Sequence, residues 1–487
     1  MDPTSSTPAT LPRRLPLVAG PLAFVALRLL APGGLDAAQA TVLGVGTWMA
    51  IWWISECLPL AVTALLPIAL FPALGATSAR EATAPFANEV VFLYLGGFLL
   101  AEALQHWRAH ERMAFGVILR VGTDSRRLVL GIMLATAFIS MWISNTATAA
   151  MMYPIALAIG ARFGDDAAAR SQQVALLLGV AFAASIGGMA TLIGTPPNLI
   201  LAGAARELIG VNLDFFAFLK FGLPIAAILL PVCWVLLVHV FHRERVVLDA
   251  EGVRALREQQ AALGPISSGE RRVLWVFLGM ALAWFFREPK VISPVTVFGL
   301  TDLVPGLTDA GVAIIGGISL FLLTGQSSAR SAPRPLLTWR EARALPWDVL
   351  LLFGGGLSLA AAMESSGLAT RIGQWMGGLE GLPLPLVLTG IAVVTVIVSE
   401  LASNAATASM GMPIAVSLAA ALGQPPLLFM LTIGLAASVG YALPMATPPN
   451  AIVFGSGVLS VRQMARAGLA LDAVAICVVV GVLLLVF

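Results

Sequence analysis

Charged residues are scarce in this sequence. They make up 11% of its 487 residues, whereas about 25% is usual in a soluble domain, and 59% of the residues are hydrophobic. The mean hydropathy is +0.92, and the net charge of +2 comes with no basic domain and no aromatic–basic stripe. We therefore expect no nucleic-acid partner, because such partners are bound by clustered lysines and arginines.

The signatures of pumps and enzymes are also missing. Cys57, Cys233 and Cys477 lie far apart and show no metal-ligand or disulfide spacing. The glycine-rich stretches are not followed by the Lys-Ser/Thr of a phosphate-binding loop, which argues against a nucleotide-driven pump. No Ser-His, Asp-Asp or metal-ligand set stands out at membrane depth, so we predict that the protein is not an enzyme.

Long apolar runs dominate what is present. A helix crosses a bilayer with about 20 apolar residues, and the sequence offers roughly ten to twelve such segments. We predict an all-α polytopic integral membrane protein with about eleven transmembrane helices plus two re-entrant helical hairpins. Arg13 and Arg14 precede the first run, which favours a membrane helix starting in the cytoplasm over a cleaved signal peptide. We expect the protein in the bacterial inner membrane, with its N-terminus in the cytoplasm.

Paired motifs indicate an internal repeat. Ser144-Asn145 aligns with Ser403-Asn404 at an offset of 259 residues, and Pro154 aligns with Pro413 at the same offset. The stretch "LGGFLLAEAL" likewise matches "GGGLSLAAAM", and "GTPPN" (194–198) matches "ATPPN" (446–450) at an offset of 252. Because the pairs keep one order, the sequence predicts two homologous halves.

Arginines suggest how the halves are oriented. They flank the first Ser-Asn motif on both sides, so the positive-inside rule predicts a hairpin that enters and leaves from the cytoplasm. Few basic residues flank the second motif, so we expect that hairpin to enter from outside. The expected organisation is a first inverted repeat at 1–240 with a hairpin near 128–160 and a broken helix near 173–204, a cytoplasmic linker at 241–272, and a second repeat at 273–487 with a hairpin near 384–421 and a broken helix near 426–456. Inverted repeats whose broken helices meet at the midplane are typical of secondary transporters.

Small neutral oxygens mark each break. Proline removes backbone donors and leaves nearby carbonyls unpaired, and Ser, Thr and Asn add further oxygens, which together suit a desolvated sodium ion. Half-helices beginning at such breaks present positive ends that favour an anion. A site of this kind can hold cations and a polyanion together, because their charges offset each other.

The sequence resembles the divalent anion/sodium symporter family over nearly its whole length. The motifs that carry the resemblance are "AIWWISECLPLAVTALLPIALFPALG" (50–75), "MWISNTATAAMM" (141–152), "IGTPPN" (193–198), "SELASNAATA" (399–408) and "ATPPNAIVFGSG" (446–457). The resemblance implies a scaffold domain, an elevator-type transport domain holding both hairpins and both broken helices, and a homodimer formed through the scaffolds.

The resemblance also implies roles for individual residues. One sodium ion would lie at Ser140, Ser144, Asn145 and the Gly194 loop, and a second at Ser399, Ala402, Ser403, Asn404 and the Ala446–Thr447 loop. Substrate carboxylates would contact Asn145, Thr146 and Asn404, with Pro197 and Pro449 at the border of the site. Ala405 departs from the family pattern, because many relatives offer a hydroxyl to the substrate there.

Three acidic residues fall within or near the apolar segments. Glu400 lies close to the second Ser-Asn motif; we expect it to face water or to cap the hairpin, with proton coupling as the alternative. Glu56 and Glu102 fall near the ends of predicted spans, where an interfacial position is expected.

The predicted function is import of a divalent anion by sodium symport. The favoured substrates are C4-dicarboxylates such as succinate, malate and fumarate, with Na⁺ as the coupling ion. Two alternatives stay open at this point: a sodium-independent dicarboxylate exchanger, and the same fold carrying sulfate or citrate.

Overall fold

The computed structural model describes residues 11–248, 250–292, 295–328, 331–375 and 381–487, so residues 1–10 of the expected first repeat lie outside it. This part of the chain is mainly helical, as the apolar runs predicted. The helices of the first half are α1 (Leu11–Leu30), α2 (Ala37–Ser55), α3 (Leu60–Thr63), α4 (Leu66–Ala73), α5 (Ala79–Thr83), α6 (Glu89–His106), α7 (Ala109–Val121), α8 (Ser125–Ser140), α9 (Asn145–Gly160), α10 (Ala167–Ala190), α11 (Pro196–Ile209) and α12 (Phe215–Val235). Helix α13 (Ala250–Ala262) lies in the segment expected to link the halves.

In the second half, the last seven helices follow one another in the same order as α6 to α12 of the first half. The helices of the second half are α14 (Ser268–Phe285), α15 (Asp309–Leu322), α16 (Trp339–Ala342), α17 (Trp347–Ser365), α18 (Leu368–Trp375), α19 (Leu384–Leu401), α20 (Asn404–Ala421), α21 (Pro426–Ala436), α22 (Pro448–Phe454) and α23 (Val461–Val486). Short 3₁₀ turns cover Pro32–Gly34, Ala84–Ala87 and Leu300–Asp302, and a π-helical turn, Leu236–Phe241, extends α12. Helix α14 begins inside the expected linker 241–272, which therefore ends earlier than its charge pattern suggested.

Two small antiparallel sheets depart from the all-α prediction. Strand β1 (Lys290–Ile292) pairs with β2 (Val295–Val297), and β3 (Thr324–Gly325) pairs with β4 (Arg334–Pro335). Both lie in the connections next to α15, and neither changes the helical architecture.

Fewer helices reach membrane-spanning length than the roughly eleven expected. Within the described residues, seven are long and apolar enough to cross a membrane: Ala37–Ser55, Ala79–His106, Ala167–Ala190, Phe215–Phe241, Trp347–Ser365, Leu384–Leu401 and Val461–Val486. Other apolar helices, such as α15 and α21, are shorter. The segments 128–160 and 384–421 are each divided by a tip, and the segments 173–204 and 426–456 are each divided by a break.

The last long helices of the two halves, α12 and α23, run in opposite directions. The guanidinium of Arg466, near the start of α23, lies 5.7 Å from the Phe241 ring at the end of α12. The Phe487 ring, at the end of α23, lies 6.0 Å from the Phe221 ring near the start of α12. Helices α12 and α23 are therefore antiparallel neighbours.

The ends of several helices meet at one pole, called here the basic pole. The Ser125 amide at the start of α8 donates to the Val246 carbonyl (2.8 Å), and Gln172 of α10 donates to the His242 carbonyl (2.9 Å). Arginines gather there, among them Arg126 and Arg245, the latter paired with Asp124 at 3.0 Å. The starts of α8 and α10 and the end of α12 therefore share this pole.

Helix α10 forms the centre of the molecule, and most of its residues are buried. It packs against α8, α9, α12 and α22, which surround it on several sides. Small residues permit this approach: a Cβ on Gly187 would lie 2.6 Å from Cα of Ala137 in α8. The packing brings the first hairpin tip and the break after α10 side by side.

Candidate functional site

Each hairpin turns at its Ser-Asn motif. Helix α8 ends at Ser140 and α9 begins at Asn145, with Ser144 as its N-cap, whose hydroxyl accepts from the Ala147 amide at 3.3 Å. In the second half α19 ends at Leu401 and α20 begins at Asn404, after Ser403. Serine before a first helical turn is a preferred cap, because its extended backbone and short side chain suit that position.

The two tips contain the same hydrogen-bonded pair. The Ser140 hydroxyl lies 2.8 Å from Oδ1 of Asn145 and 2.7 Å from the carbonyl oxygen of Ala184. The Ser399 hydroxyl lies 2.9 Å from Oδ1 of Asn404 and 2.6 Å from the carbonyl oxygen of Ala437. Both serines are fully buried, so each tip is tied to the broken helix beside it.

The two breaks share a second network. The side-chain amide (Nδ2) of Asn198 donates to the backbone carbonyls of Gly188 (2.9 Å) and Thr191 (2.8 Å). In the other half, the side-chain amide (Nδ2) of Asn450 donates to the backbone carbonyls of Gly440 (3.1 Å) and Leu443 (3.0 Å). The asparagine that ends each Thr-Pro-Pro-Asn motif thus holds in place, by hydrogen bonds, the backbone that precedes the motif.

Both tips and both breaks open into one cavity of about 840 Å³. Helices α9, α11 and α20 begin at its wall. Three acidic side chains, Glu56, Glu102 and Asp348, line it as well, and no Lys or Arg is among its lining residues in the described part of the chain. Glu56 and Glu102 therefore line the cavity. The sequence had placed them only near the ends of spans, at the membrane interface.

The candidate residues divide into a lining set and a buried set. Those lining the cavity are Ser144, Asn145, Thr146, Gly194, Pro197, Ser403, Asn404, Ala405, Ala446, Thr447 and Pro449. Ser140, Ser399 and Ala402 are buried behind them. All the substrate candidates thus reach the cavity, and the ion candidates either line it or lie directly behind a tip.

Unpaired oxygens near the breaks fit a small cation. Oδ1 of Asn198 and of Asn450 are buried and have no hydrogen-bond partner, and the same holds for the hydroxyls of Ser185 and Ser438. Buried polar atoms without partners are rare in folded proteins and call for an explanation such as an ion. These oxygens are neutral, so binding a cation here buries no permanent protein charge.

Two contacts were missed by the sequence analysis. The Tyr94 hydroxyl of α6 donates to the carbonyl of Thr195 at 2.5 Å, which joins α6 to the first break. Asp472 of α23 is 4% exposed and accepts from the Tyr441 amide in the second break at 3.2 Å. A lone carboxylate inside the last apolar run was the available signal for Asp472, since ionisable residues at such depth are rarely without a role.

Comparison with known proteins identifies relatives across the chain. Residues 13–486 match the profile of a family described as the sodium:sulfate symporter transmembrane region. The chain is 36% identical over 474 residues to the sodium-dependent dicarboxylate transporter SdcS of Staphylococcus saprophyticus, covering 95% of this chain and 89% of that protein. It is also 36% identical over 460 residues to SdcS of Staphylococcus aureus, covering 93% of this chain and 87% of that protein.

A solved structure shares the overall fold at low sequence identity. It is that of Neisseria gonorrhoeae MtrF, a protein described as illuminating a class of antimetabolite efflux pumps. The TM-score is 0.57 at 13% identity, with 97% of this chain and 94% of that chain covered. At this identity the likeness concerns the fold alone.

Proposed function

The chain belongs to the sodium:sulfate symporter family, and from that membership we propose that it is a secondary active transporter that imports a C4-dicarboxylate together with sodium ions. Succinate, malate and fumarate are the favoured substrates. The relatives it matches are named as transporters, in agreement with the prediction that it is not an enzyme.

The observation that carries the proposal is the single cavity shared by both Ser-Asn tips and both Thr-Pro-Pro-Asn breaks. A dicarboxylate carries two negative charges, yet no basic side chain lines this cavity in the described residues. The positive ends of α9, α11 and α20 supply part of the compensation. Bound sodium ions supply the rest, which makes anion binding depend on the cation.

The proposed ion sites follow the two halves. One comprises Ser140, Ser144, Asn145 and the backbone near Gly194, and the other comprises Ser399, Ala402, Ser403, Asn404 and the backbone at Ala446–Thr447. The substrate lies between them, against Asn145, Thr146, Asn404 and Ala405, with Pro197 and Pro449 at its border. The matched Ser-Asn hydrogen bonds of the two tips support this placement.

The proposed mechanism is an elevator. The hairpins α8–α9 and α19–α20 and the broken helices α10–α11 and α21–α22 move as one transport domain, with α12 packed against α10. Helices α6, α14, α15 and α17 belong to the scaffold, through which two copies form a homodimer. The protein lies in the bacterial inner membrane with its basic pole and N-terminus in the cytoplasm, because arginines are retained on that side.

Uptake into proteoliposomes tests the proposal. Labelled succinate is added outside, under an inward sodium gradient or a matched potassium gradient, with and without succinate inside. The expected result is concentrative uptake only with sodium. Uptake that requires internal succinate and ignores sodium would establish an exchanger instead. If succinate is not taken up in any of the four conditions, the same vesicles are tested with sulfate and citrate.

A further inference from the structure

The two broken helices differ in how far they unwind. Helix α10 continues to Ala190 and only 191–195 are irregular, whereas α21 ends at Ala436 and 437–447 are irregular. The asparagine contacts fix the correspondence: Gly440 occupies the place of Gly188, since each carbonyl accepts from the asparagine ten residues later. Gly188 lies within a helix and Gly440 does not. At this correspondence Ala190 matches Ala442, whereas α21 already ends at Ala436, so the second break begins six residues, or more than one and a half turns, earlier.

This unwinding frees backbone donors that a helix would satisfy. The amides of Ala442 and Leu443 donate to the two carboxylate oxygens of Glu400, at 2.8 and 2.9 Å. The Tyr441 amide donates to Asp472 at 3.2 Å. Glu400 is 7% exposed and Asp472 is 4% exposed. Because an unpaired buried amide is costly, these two carboxyl groups hold residues 441–443 in their unwound form.

Glu400 also joins this stretch to the second tip. It directly follows Ser399, whose hydroxyl contacts Asn404 and the Ala437 carbonyl. In the first half the same place is taken by Met141, whose carbonyl accepts from the Thr191 hydroxyl. In the first half, a neutral hydrogen bond from Thr191 connects the tip to the break. In the second half, the Glu400 carboxylate makes this connection through two hydrogen bonds.

We propose that Glu400 and Asp472 are positioning residues for the second sodium site, which they keep in its binding geometry by fixing the backbone of 441–443. This proposal rests on the proposed function, because it takes the loop ending at Ala446–Thr447 as an ion-binding loop. A loop already held in place loses less conformational freedom when the ion binds, so its affinity is higher. Neither side chain needs to contact the ion.

The test is a sodium titration of the purified full-length protein, followed as thermal stabilisation at constant ionic strength with choline as the balancing cation. Glu400→Gln keeps one of two carbonyl-type acceptors, and Asp472→Leu removes its acceptor. Both are expected to raise the half-saturating sodium concentration roughly tenfold. Asp472→Asn retains an oxygen for the Tyr441 amide and should stay within about twofold of wild type. Glu364→Gln, an exposed carboxylate at the end of α17, is the matched control and should not change it.

Uptake measurements with the same variants separate positioning from general destabilisation. At saturating sodium the substrate KM should remain within about twofold of wild type, since the substrate contacts are intact. A merely structural role would lower the melting temperature without sodium and leave the half-saturating concentration unchanged in both Glu400→Gln and Asp472→Leu. That result, or a wild-type protein that sodium does not stabilise, overturns the positioning proposal. Sodium stabilisation that the variants weaken, in a protein that takes up no dicarboxylate, would support positioning while rejecting the proposed substrate.

Discussion

Asn145 and Asn404 each accept from a buried serine and each begin a helix at the cavity wall. If both contact the substrate and an ion, replacing either one with alanine removes at least two polar interactions. A hydrogen bond to a charged group contributes about 1.5–3 kcal/mol, so uptake should fall by roughly 100-fold or more in Asn145→Ala and in Asn404→Ala. Initial uptake rates check this, with size-exclusion profiles as the control for folding. Wild-type rates in both variants would reject the site assignment.

Ala405 follows the second Ser-Asn pair at the place where Thr146 follows the first. It lines the main cavity and also a small apolar crevice with Val349 and Phe353. In Ala405→Thr, a hydroxyl facing the substrate should lower the KM for succinate about tenfold. Ala405→Val is the matched control, because it has nearly the same shape but no hydroxyl. Equal KM values in the two variants would mean that position 405 does not hydrogen-bond the substrate.

At this scale the sequence was informative where a motif occurs twice. The two Ser-Asn pairs and the two Thr-Pro-Pro-Asn motifs could be predicted as one site, and the structure brings all of them to one cavity. Asp472 could not be placed, because its partner Tyr441 is 31 residues away and belongs to a loop without a recognisable pattern. The role of a lone residue depends on tertiary contacts that periodicity does not encode.

At the scale of elements, the close approach of α10 to α8 positions the first tip. A Cβ on Gly187 would lie 2.8 Å from the backbone carbonyl carbon of Ala137, which cannot rotate away. Gly187→Ala should therefore force the helices apart and destabilise the protein by about 1–3 kcal/mol. Thermal unfolding followed by intrinsic fluorescence measures the loss. Gly279→Ala in α14 is the control, because a Cβ there meets nothing within 4 Å.

Helix type was easier to predict than helix extent. Apolar runs and the prolines of the Thr-Pro-Pro-Asn motifs indicated where α11 and α22 begin, since proline is favoured in a first turn. The earlier end of α21 was not visible, because residues 437–443 are mostly apolar and carry no breaker before Gly440. Their unwinding depends on two carboxyl groups from other helices, which is a tertiary effect.

On the scale of the whole molecule, the cavity and the ion pairs of Arg287 lie toward opposite poles. The cavity reaches Gln105 near the end of α6 and Asp348 near the start of α17, beside the arginines of the basic pole. Toward the other pole, Arg287 after α14 pairs with Asp214 of α12 at 2.7 Å and with Asp309 of α15 at 2.6 Å. The side chains of all three are largely buried.

Arg206 of α11 and Glu89 of α6 form another ion pair near those of Arg287. Under the elevator proposal, the Arg287–Asp214 and Arg206–Glu89 pairs join the transport domain to the scaffold on the outer side, whereas the Arg287–Asp309 pair lies within the scaffold. Burial alone would lower the pKa of Arg287, but Asp309, Glu288 and Asp214 together raise it. The guanidinium therefore stays charged. Under the elevator proposal, its contact with Asp214 stabilises the inward-open arrangement, in which the cavity lies toward the basic pole.

Removing the central charge should shift the balance between transport states. Arg287→Gln leaves Asp214 and Asp309 facing each other without a cation, and breaking a buried pair typically costs about 3–5 kcal/mol. Arg287 and Asp309 both belong to the proposed scaffold, so the loss of that pair affects both transport states. Under the elevator proposal the loss at Asp214 falls on the inward-open arrangement alone, so the outward-open population should rise by orders of magnitude. Spin labels at two exposed outer positions, Glu207 at the end of α11 and Val304 between α14 and α15, report the change as a new distance in double electron–electron resonance.

The control for this shift is an ion pair that does not join the two domains. Arg254 and Glu258 pair on the exposed surface of α13 at 3.6 Å, and Arg254→Gln should leave the distance distribution as in wild type. If Arg287→Gln also leaves it unchanged while the protein remains folded, the ion pairs do not select the transport state. If a second label-to-label distance appears in Arg287→Gln and not in Arg254→Gln, the ion pairs of Arg287 stabilise the inward-open form. Only contacts that break during the movement can shift the balance between the two transport states.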